Sequence, residues 1–382
     1  MRVGIDRVRT RGELHSFVTL PWRLYGSDPH WIPPLIGETK KTFDAAKNPF
    51  FSHGEIALFL ARRAGRPAGR IAAIRDRAHE TFQQEAVGFF GFFECEDDPE
   101  VAAALIRAAA EFASAEGLER LRGPVNPSMN DECGLLVDGF DTPPMIMMPH
   151  GHPYYDGLLR SSGLEKARDL VAYIVEDYPI VERLARGARI AEKRNPGVNV
   201  RCIDMKRLDE ELVRVKHVYN RAWERNWGFV PMTDAEIDHM ARQLKPVLDP
   251  RLVLFAERGG EPIAFALALP DVNQAIRHAN GRLFPLGWAR VMWEARKIRR
   301  LRVLALGLVP EARRRGIDML LYHALNRNSL ERGYRCAELS WILEDNEAIR
   351  TPIETMGARV YKRMRIYEGH VDVLLQNTGK VA

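Results

Sequence analysis

Val309-Pro310-Glu311-Ala312-Arg313-Arg314-Arg315-Gly316-Ile317-Asp318 is the stretch on which the reading of this chain turns. LRVLALGLV (301–309) leads into it as an unbroken apolar run of strand character. Beyond it Ile317, Leu320, Leu321, Ala324 and Leu325 recur at helical spacing. A strand ends, a basic turn containing one glycine follows, and a helix begins at once. Such a helix start exposes unpaired backbone N–H groups and the positive end of the helix dipole, which suit a pyrophosphate. Gly316 lets the backbone come close, and Arg313, Arg314 and Arg315 add charge and bidentate donors. A solvated basic turn is the plainer reading of the same residues. Asp318 is discordant, because a carboxylate beside a pyrophosphate repels it, although an acid in a first helical turn also suits the dipole.

Working outward, RLVLFAERGGEPIAFALALP (251–270) reads as strand, Gly-Gly turn, strand. CAELSWIL (336–343) is the next strand, and a helix through Glu347–Met356 ends at Gly357. The first half repeats this order. EIALFLARRAGRPAGRIAAI, around 55–75, is strand, turn, strand, and VGFFGFFEC (87–95) is an aromatic strand. After Asp97-Asp98-Pro99 comes a helix with Val101, Ala104, Leu105, Ala108 and Phe112 on one face. Another starts at Pro153-Tyr154-Tyr155 and stops near Gly163. The expectation is an α/β fold of mixed sheets in two tandem domains, 1–176 and 201–370, with a polar linker at 177–200 and a tail at 371–382. One large mixed α/β domain is the alternative.

A chain of 382 residues, 46% hydrophobic and 28% charged, is long enough for two cores and too apolar for extended disorder. No apolar run approaches the ~20 residues of a membrane span. MRVGIDRVRTRGEL has no apolar segment after its arginines, so no secretory signal is expected there. Cys95, Cys133, Cys202 and Cys336 are scattered without a CxxC pair. They point to a reducing, cytoplasmic setting and to no metal site. His150 and His152 lack nearby Cys or acid partners in sequence, so metal binding is not expected of them either.

The turn and its surroundings resemble the Gcn5-related N-acetyltransferase (GNAT) superfamily, whose acyl-CoA motif runs roughly [Q/R]-x-x-G-x-[G/A] after a strand. Arg313, Gly316 and Ile317 match that pattern and Asp318 departs from it. The resemblance implies acyl-CoA or acetyl-CoA as co-substrate, held by Leu308, Val309, Arg313, Arg314, Arg315, Gly316 and Ile317, with Asn346 on its arm. Asn346 and Gly357 match the downstream pattern N-x-x-A-x-x-x-Y-x-x-x-G-F, but Ile353 stands where a tyrosine acid is usual. Tyr361 or Tyr367 is a substitute, with a core tyrosine as the plainer reading. Over the whole chain, LPWRLYGSDPHWIPPL (20–35), NPFFSH (48–53), YNRAWERNWGFVPMT (219–233), SWILEDN (340–346) and YKRMRIYE (361–368) resemble a bacterial family of tandem GNAT-like acyltransferases. Some of its members are similar to the bacterial ceramide synthase, which acylates the amine of a sphingoid base.

Glu344 and Asp345, at the end of the strand that faces the motif, are the candidate general bases for attack by an amine, with helix capping before Asn346 as the competing role. Trp223, Trp227 and Phe229 are candidate walls of the acceptor pocket. In the first half the place of RRRG is taken by Glu96, Asp97 and Asp98. Their charge opposes a pyrophosphate, so this domain is expected to be degenerate. It carries a polar loop cluster, Asn126, Ser128, Asn130 and Asp131, followed by Tyr154 and Tyr155. Asn130, Tyr154 and Tyr155 are its candidate acceptor contacts, against a reading as turn-shaping residues.

The net charge of +5 has one source: residues 282–302 carry seven Arg or Lys and one Glu. Trp288, Val291, Met292, Ala295 and Ile298 form a stripe on a helix expected over 286–301, the composition of a helix lying on an anionic membrane. No nucleic-acid module accompanies the patch. The function these features predict is transfer of an acyl group from acyl-CoA to an amine, a long-chain sphingoid base in the lipid version, by a cytoplasmic protein visiting the inner membrane. A non-catalytic GNAT-like sensory protein, or an acetyltransferase of small soluble amines, remains open at this level.

Overall fold

The computed structural model describes residues 3–176 and 182–376. Strand β1 (Val3–Arg7) leads into α1 (Arg11–Leu24), whose start is a capping box between Thr10 and Glu13. Helix α2 (Ile36–Thr42) is followed by the hairpin β2 (Gly54–Arg63) and β3 (Arg66–Asp76), then by α3 (Arg77–Gln83) and β4 (Val87–Cys95). Helix α4 (Pro99–Ala115) turns Val101, Leu105 and Ala109 inward, and β5 (Arg120–Gly123) runs parallel to β4. The short strands β6 (Val125–Asn126), β7 (Glu132–Cys133) and β8 (Leu135–Asp138), helix α5 (Tyr155–Ser161) and β9 (Glu165–Glu176) complete the first half.

The second half opens on α6 (Glu182–Arg194) and β10 (Val198–Cys202), then α7 (Leu208–Trp223), α8 (Asp234–Leu244) and the hairpin β11 (Val253–Arg258) and β12 (Glu261–Pro270). Helices α9 (Asn273–Ile276) and α10 (Gly287–Ala295) precede β13 (Arg300–Leu308), α11 (Ile317–Glu331), β14 (Cys336–Leu343), α12 (Glu347–Thr355), β15 (Arg359–His370) and α13 (Val371–Gln376).

The repeat read from the sequence is present in the strand registers. Val3↔Arg63 between β1 and β2 recurs as Val198↔Arg258 between β10 and β11. The register break after Ala61 in β2 recurs after Ala256 in β11. A second break, in the strand before the long helix, occurs in both β4 and β13. One shared register and two shared irregularities in corresponding strands mark two copies of one mixed α/β unit, because bulges are built features of a sheet.

Two compact units result, and their limits differ from those expected. One gathers described residues from 1–171, 275–292 and 362–382, the other from 172–274 and 293–361. The end of the chain thus belongs with the first unit. Tyr367↔Gly123 to His370↔Arg120 pair β15 with β5, Arg122 meets Glu368 at 2.6 Å, and Val371 and Leu374 enter the first core. The expected tail, 371–382, begins as helix α13, and 377–382 lie outside the described residues. The expected linker, 177–200, is largely α6 and the start of β10, with 177–181 outside the described residues. Its buried stripe is Leu184, Ala188 and Ala191, a weak apolar signal among arginines. The helix expected over 286–301 stops at Ala295, since Arg300 to Arg302 already belong to β13 and Ile298 is buried.

Candidate functional site

In the second unit β13 and β14 run parallel only from Arg300↔Cys336 to Val303↔Leu339. Beyond that β13 continues to Leu308 and β14 to Leu343 without a shared register among the described residues. The cause lies on the other edge of β13, where Val303 pairs with Ala268 and Ala305 with Leu267. Leu304 is therefore the extra residue of a bulge that bends the strand. Val309 donates its N–H to the Ile263 carbonyl of β12 at 3.0 Å. Alternation along the strand therefore turns the N–H groups of Leu308 and Leu306 toward the edge that β14 has left. An extended ligand arm can pair with that edge as another strand would.

The turn expected to hold a pyrophosphate follows directly. Arg314 and Gly316 both adopt left-handed backbone, with φ of 60° and 77°. Gly316 is the N-cap of α11, and no side chain caps the helix start. The first N–H groups of α11 are thus left to an incoming anion. Asn195, buried at the end of α6, donates to the Arg315 carbonyl at 2.9 Å and to Ala191 at 2.8 Å, holding the turn from behind. Arg314 and Arg315 are exposed. Arg313 is exposed as well, but its guanidinium donates to the Ala222 carbonyl at 2.7 Å and to the Leu308 carbonyl at 3.4 Å. It ties the turn to the end of α7, a structural task that the motif alone did not reveal. Asp318 sits in the first turn of α11.

Trp223 lies over β13 so closely that a Cβ at Gly307 would come within 2.4 Å of its ring. Its neighbours are Tyr219 at 4.9 Å and Phe265 at 5.9 Å, and Phe229 is 5.7 Å from Tyr219. Trp223 and Phe229 therefore form one aromatic wall beside the strand that carries the turn, and Trp227 is half-buried. At the end of β14, Glu344 is half-buried and Asp345 exposed, and Arg350 donates to the Glu344 carbonyl. Asn346 precedes α12 without a side-chain capping bond, and Ile353 is buried. Tyr361 donates its hydroxyl to Glu338, a residue absent from the sequence reading. Tyr367 is fully buried in the first unit.

The corresponding place in the first unit is built differently. Parallel pairing of β4 with β5 ends at Phe89↔Arg122, but the gap is filled by the chain's own β6. Asn126 accepts from the Phe92 N–H at 2.7 Å, and a Cβ at Gly91 would lie 1.7 Å from the Val125 carbonyl oxygen. The start of α4 is capped by Asp98, which accepts from Glu100 at 3.0 Å and Val101 at 3.3 Å. Ser128 and Asp131 bond each other at 2.7 Å, and the Asn130 N–H donates to Ser128 at 3.2 Å. Of the expected acceptor contacts, Tyr155 is a core residue that accepts from the Cys95 N–H, while the Tyr154 hydroxyl donates to the Cys95 carbonyl at 2.9 Å. Both brace the end of β4, because a buried phenol needs a hydrogen-bond partner and a strand end offers one. Among the described residues no group of three His, Cys, Asp or Glu is placed to hold a metal.

The chain is similar to known proteins along almost its whole length. The bacterial ceramide synthase of Caulobacter vibrioides (strain NA1000 / CB15N) is 39% identical over 373 residues, spanning 96% of this chain and 97% of that protein. The chain belongs to this family of GNAT-fold acyltransferases. Protein YghO of Escherichia coli (strain K12), 37% identical over 367 residues and 94% of each chain, is a second relative. Among solved structures, a tandem GNAT protein from the clavulanic acid biosynthesis pathway matches 97% of this chain and 99% of its own, with a TM-score of 0.58 at 13% identity. A GNAT from Sphaerobacter thermophilus matches 97% and 96% with a TM-score of 0.53, also at 13% identity. At such identities the structures speak for the tandem GNAT fold. No protein-family model matches the sequence.

Proposed function

We propose that this protein transfers an acyl group from acyl-CoA to the amine of a long-chain, sphingoid-type base, with the donor bound in the second unit alone. The open edge of β13 running into the uncapped start of α11 is the observation that carries the donor assignment. Backbone N–H groups of that edge are suited to bind the pantetheine arm and to polarise the thioester carbonyl. The turn Arg313–Ile317 would receive the pyrophosphate, with Arg314 and Arg315 as its accessible charges. In the first unit both features are taken up internally, by Asn126 in the gap and Asp98 at the helix start, which supports reading that unit as degenerate. Titration calorimetry with palmitoyl-CoA checks this: one site per chain is expected, and two equal sites would refute it.

A lipid acceptor is supported by the relationship to the bacterial ceramide synthase and by the segment 284–297. Phe284, Leu286, Trp288, Met292 and Trp293 are 81%, 74%, 48%, 57% and 61% exposed, an apolar density rare on a free surface. Arg282, Arg290, Arg296 and Lys297 surround them and are exposed. Arg302, counted with this patch in the sequence, is buried and does not contribute. No helix among the described residues is long and apolar enough to cross a membrane. An anionic bilayer surface matches both the exposed rings and the cations around them. Co-sedimentation with phosphatidylglycerol vesicles should therefore capture the wild type, and Trp288→Ala/Trp293→Ala should lose most of that binding. A wild type that ignores these vesicles and acylates water-soluble amines faster than sphinganine would leave a small-amine acetyltransferase instead.

A further inference from the structure

A buried polar cluster lies one step inside the point where β13 and β14 part. Arg302 and Glu338 are register partners, immediately before the last pair Val303↔Leu339. They are 2% and 0% exposed. Arg302 Nε lies 3.4 Å from Glu338 Oε1 and donates to Ser340 Oγ at 2.8 Å, while Ser340 donates to the same carboxylate oxygen. The other oxygen, Oε2, accepts the hydroxyl of Tyr361 on β15. Tyr361 is half-buried and so is the accessible end of the cluster.

Stability alone is a poor account of it, since well-packed apolar residues commonly serve a core as well as a buried ion pair does. Its position is more telling. From Leu308 back to Val303 the strand covers about 16 Å at its usual rise, the scale of an extended pantetheine arm. A donor with its pyrophosphate at the turn therefore brings its sulfur end to the level of Arg302 and Glu338. The direction of the hydrogen bond also matters. Tyr361 is the donor in its bond to Glu338, so the phenol oxygen keeps its acceptor capacity. That is the orientation of a group that takes a proton, opposite to the acid role expected of Tyr361 from the sequence.

We infer that Glu338 is the proton acceptor of acyl transfer and works through Tyr361, with Arg302 and Ser340 as positioning residues. This rests on the acyltransferase reading above. The amine nitrogen forms a bond to the thioester carbonyl carbon, and its proton passes to the Tyr361 oxygen as Tyr361's own proton passes to Glu338 Oε2. The C–S bond breaks with its electron pair on sulfur, and the thiolate leaves to take a proton from water.

The test is acyl-CoA consumption with palmitoyl-CoA and sphinganine between about pH 6 and 10, for wild type, Glu338→Gln, Tyr361→Phe and the double variant. Each single change should lower kcat about 100-fold or more, the scale of lost general-base catalysis, while KM for palmitoyl-CoA stays within about twofold. Both should abolish the rise of kcat with pH, and the double variant should be no slower than the slower single one. A merely structural cluster would lower thermal stability and leave the pH profile in place. An unmoved profile, or losses that multiply in the double variant, overturns the relay. Tyr361→Phe, at the accessible end, decides the matter alone if Glu338→Gln does not fold. A wild type without turnover of any amine overturns the acyltransferase reading and the relay together, whereas an active wild type with unaffected variants overturns the relay only.

Discussion

The three consecutive arginines of the turn should separate cleanly by substitution. Arg313 is held by the Ala222 and Leu308 carbonyls, whereas Arg314 and Arg315 project into solvent. Arg313→Ala removes a charged donor from Ala222, one of the last carbonyls of α7, which have no partner within the helix. A hydrogen bond to a charged group contributes about 1.5–3 kcal/mol, and the partial exposure of this guanidinium reduces that to about 1–2 kcal/mol. For a unit of this size such a loss lowers Tm by about 2–8 °C. Arg314→Ala and Arg315→Ala, as surface changes, should alter stability by less than about 0.5 kcal/mol. Their effect belongs to binding: a weaker affinity for palmitoyl-CoA whose difference from wild type shrinks as salt rises. Scanning calorimetry and titration calorimetry at about 50 and 300 mM salt measure both quantities. Equal Tm values for all three variants would refute the assignment of Arg313 to the α7 contact. Salt-independent losses for Arg314→Ala and Arg315→Ala would refute the anion-binding role of the turn.

Gly307→Ala would place a methyl 2.4 Å from the Trp223 ring and 2.8 Å from Ala222. We expect destabilisation by about 1–3 kcal/mol from overpacking and, because Ala222 is the partner of Arg313, weaker acyl-CoA binding as well. Urea unfolding with titration calorimetry checks this, and an unchanged midpoint would show that the ring does not rest on the strand. Asp169 offers a pH test in the first unit. Burial pushes its carboxyl up, but hydrogen bonds from Arg365, at 2.7 and 3.0 Å, and from Lys166 outweigh it and hold the group below the usual range. A carboxyl lowered on folding contributes stability that is complete above its unfolded value, about 3.9, and is lost as pH falls through the folded one. Asp169→Asn should cost about 3 kcal/mol near pH 7 and flatten the loss of stability below about pH 4. Unfolding curves at several pH values that run parallel to wild type would contradict the pairing.

What was legible in the sequence was what contiguous residues encode. Strand, basic turn and helix at 301–325 follow from apolar spacing and one glycine, and the repeat follows from the same order of elements in each half. The aromatic wall of Trp223 and Phe229 was readable as a group because its members lie within one short segment. The partner of Tyr361 was not, since Glu338 meets it only through strand placement, and an isolated Glu in CAELSWIL carries no sign of burial. Arg302 read as part of a basic surface patch, and only its register opposite Glu338 took it inside. The plug of the first unit was equally hidden: Asn126 looks like a turn residue until a bulge in β4 sets the Phe92 N–H before it. Local conformation and charge are properties of neighbours in the chain, so the sequence by itself determined the fold class and the strand, basic turn and helix at 301–325. Burial, hydrogen-bond direction and the tie between Arg313 and α7 join residues tens of positions apart. Those were decided by strand order, bulges and register, which exist only once the sheets have formed.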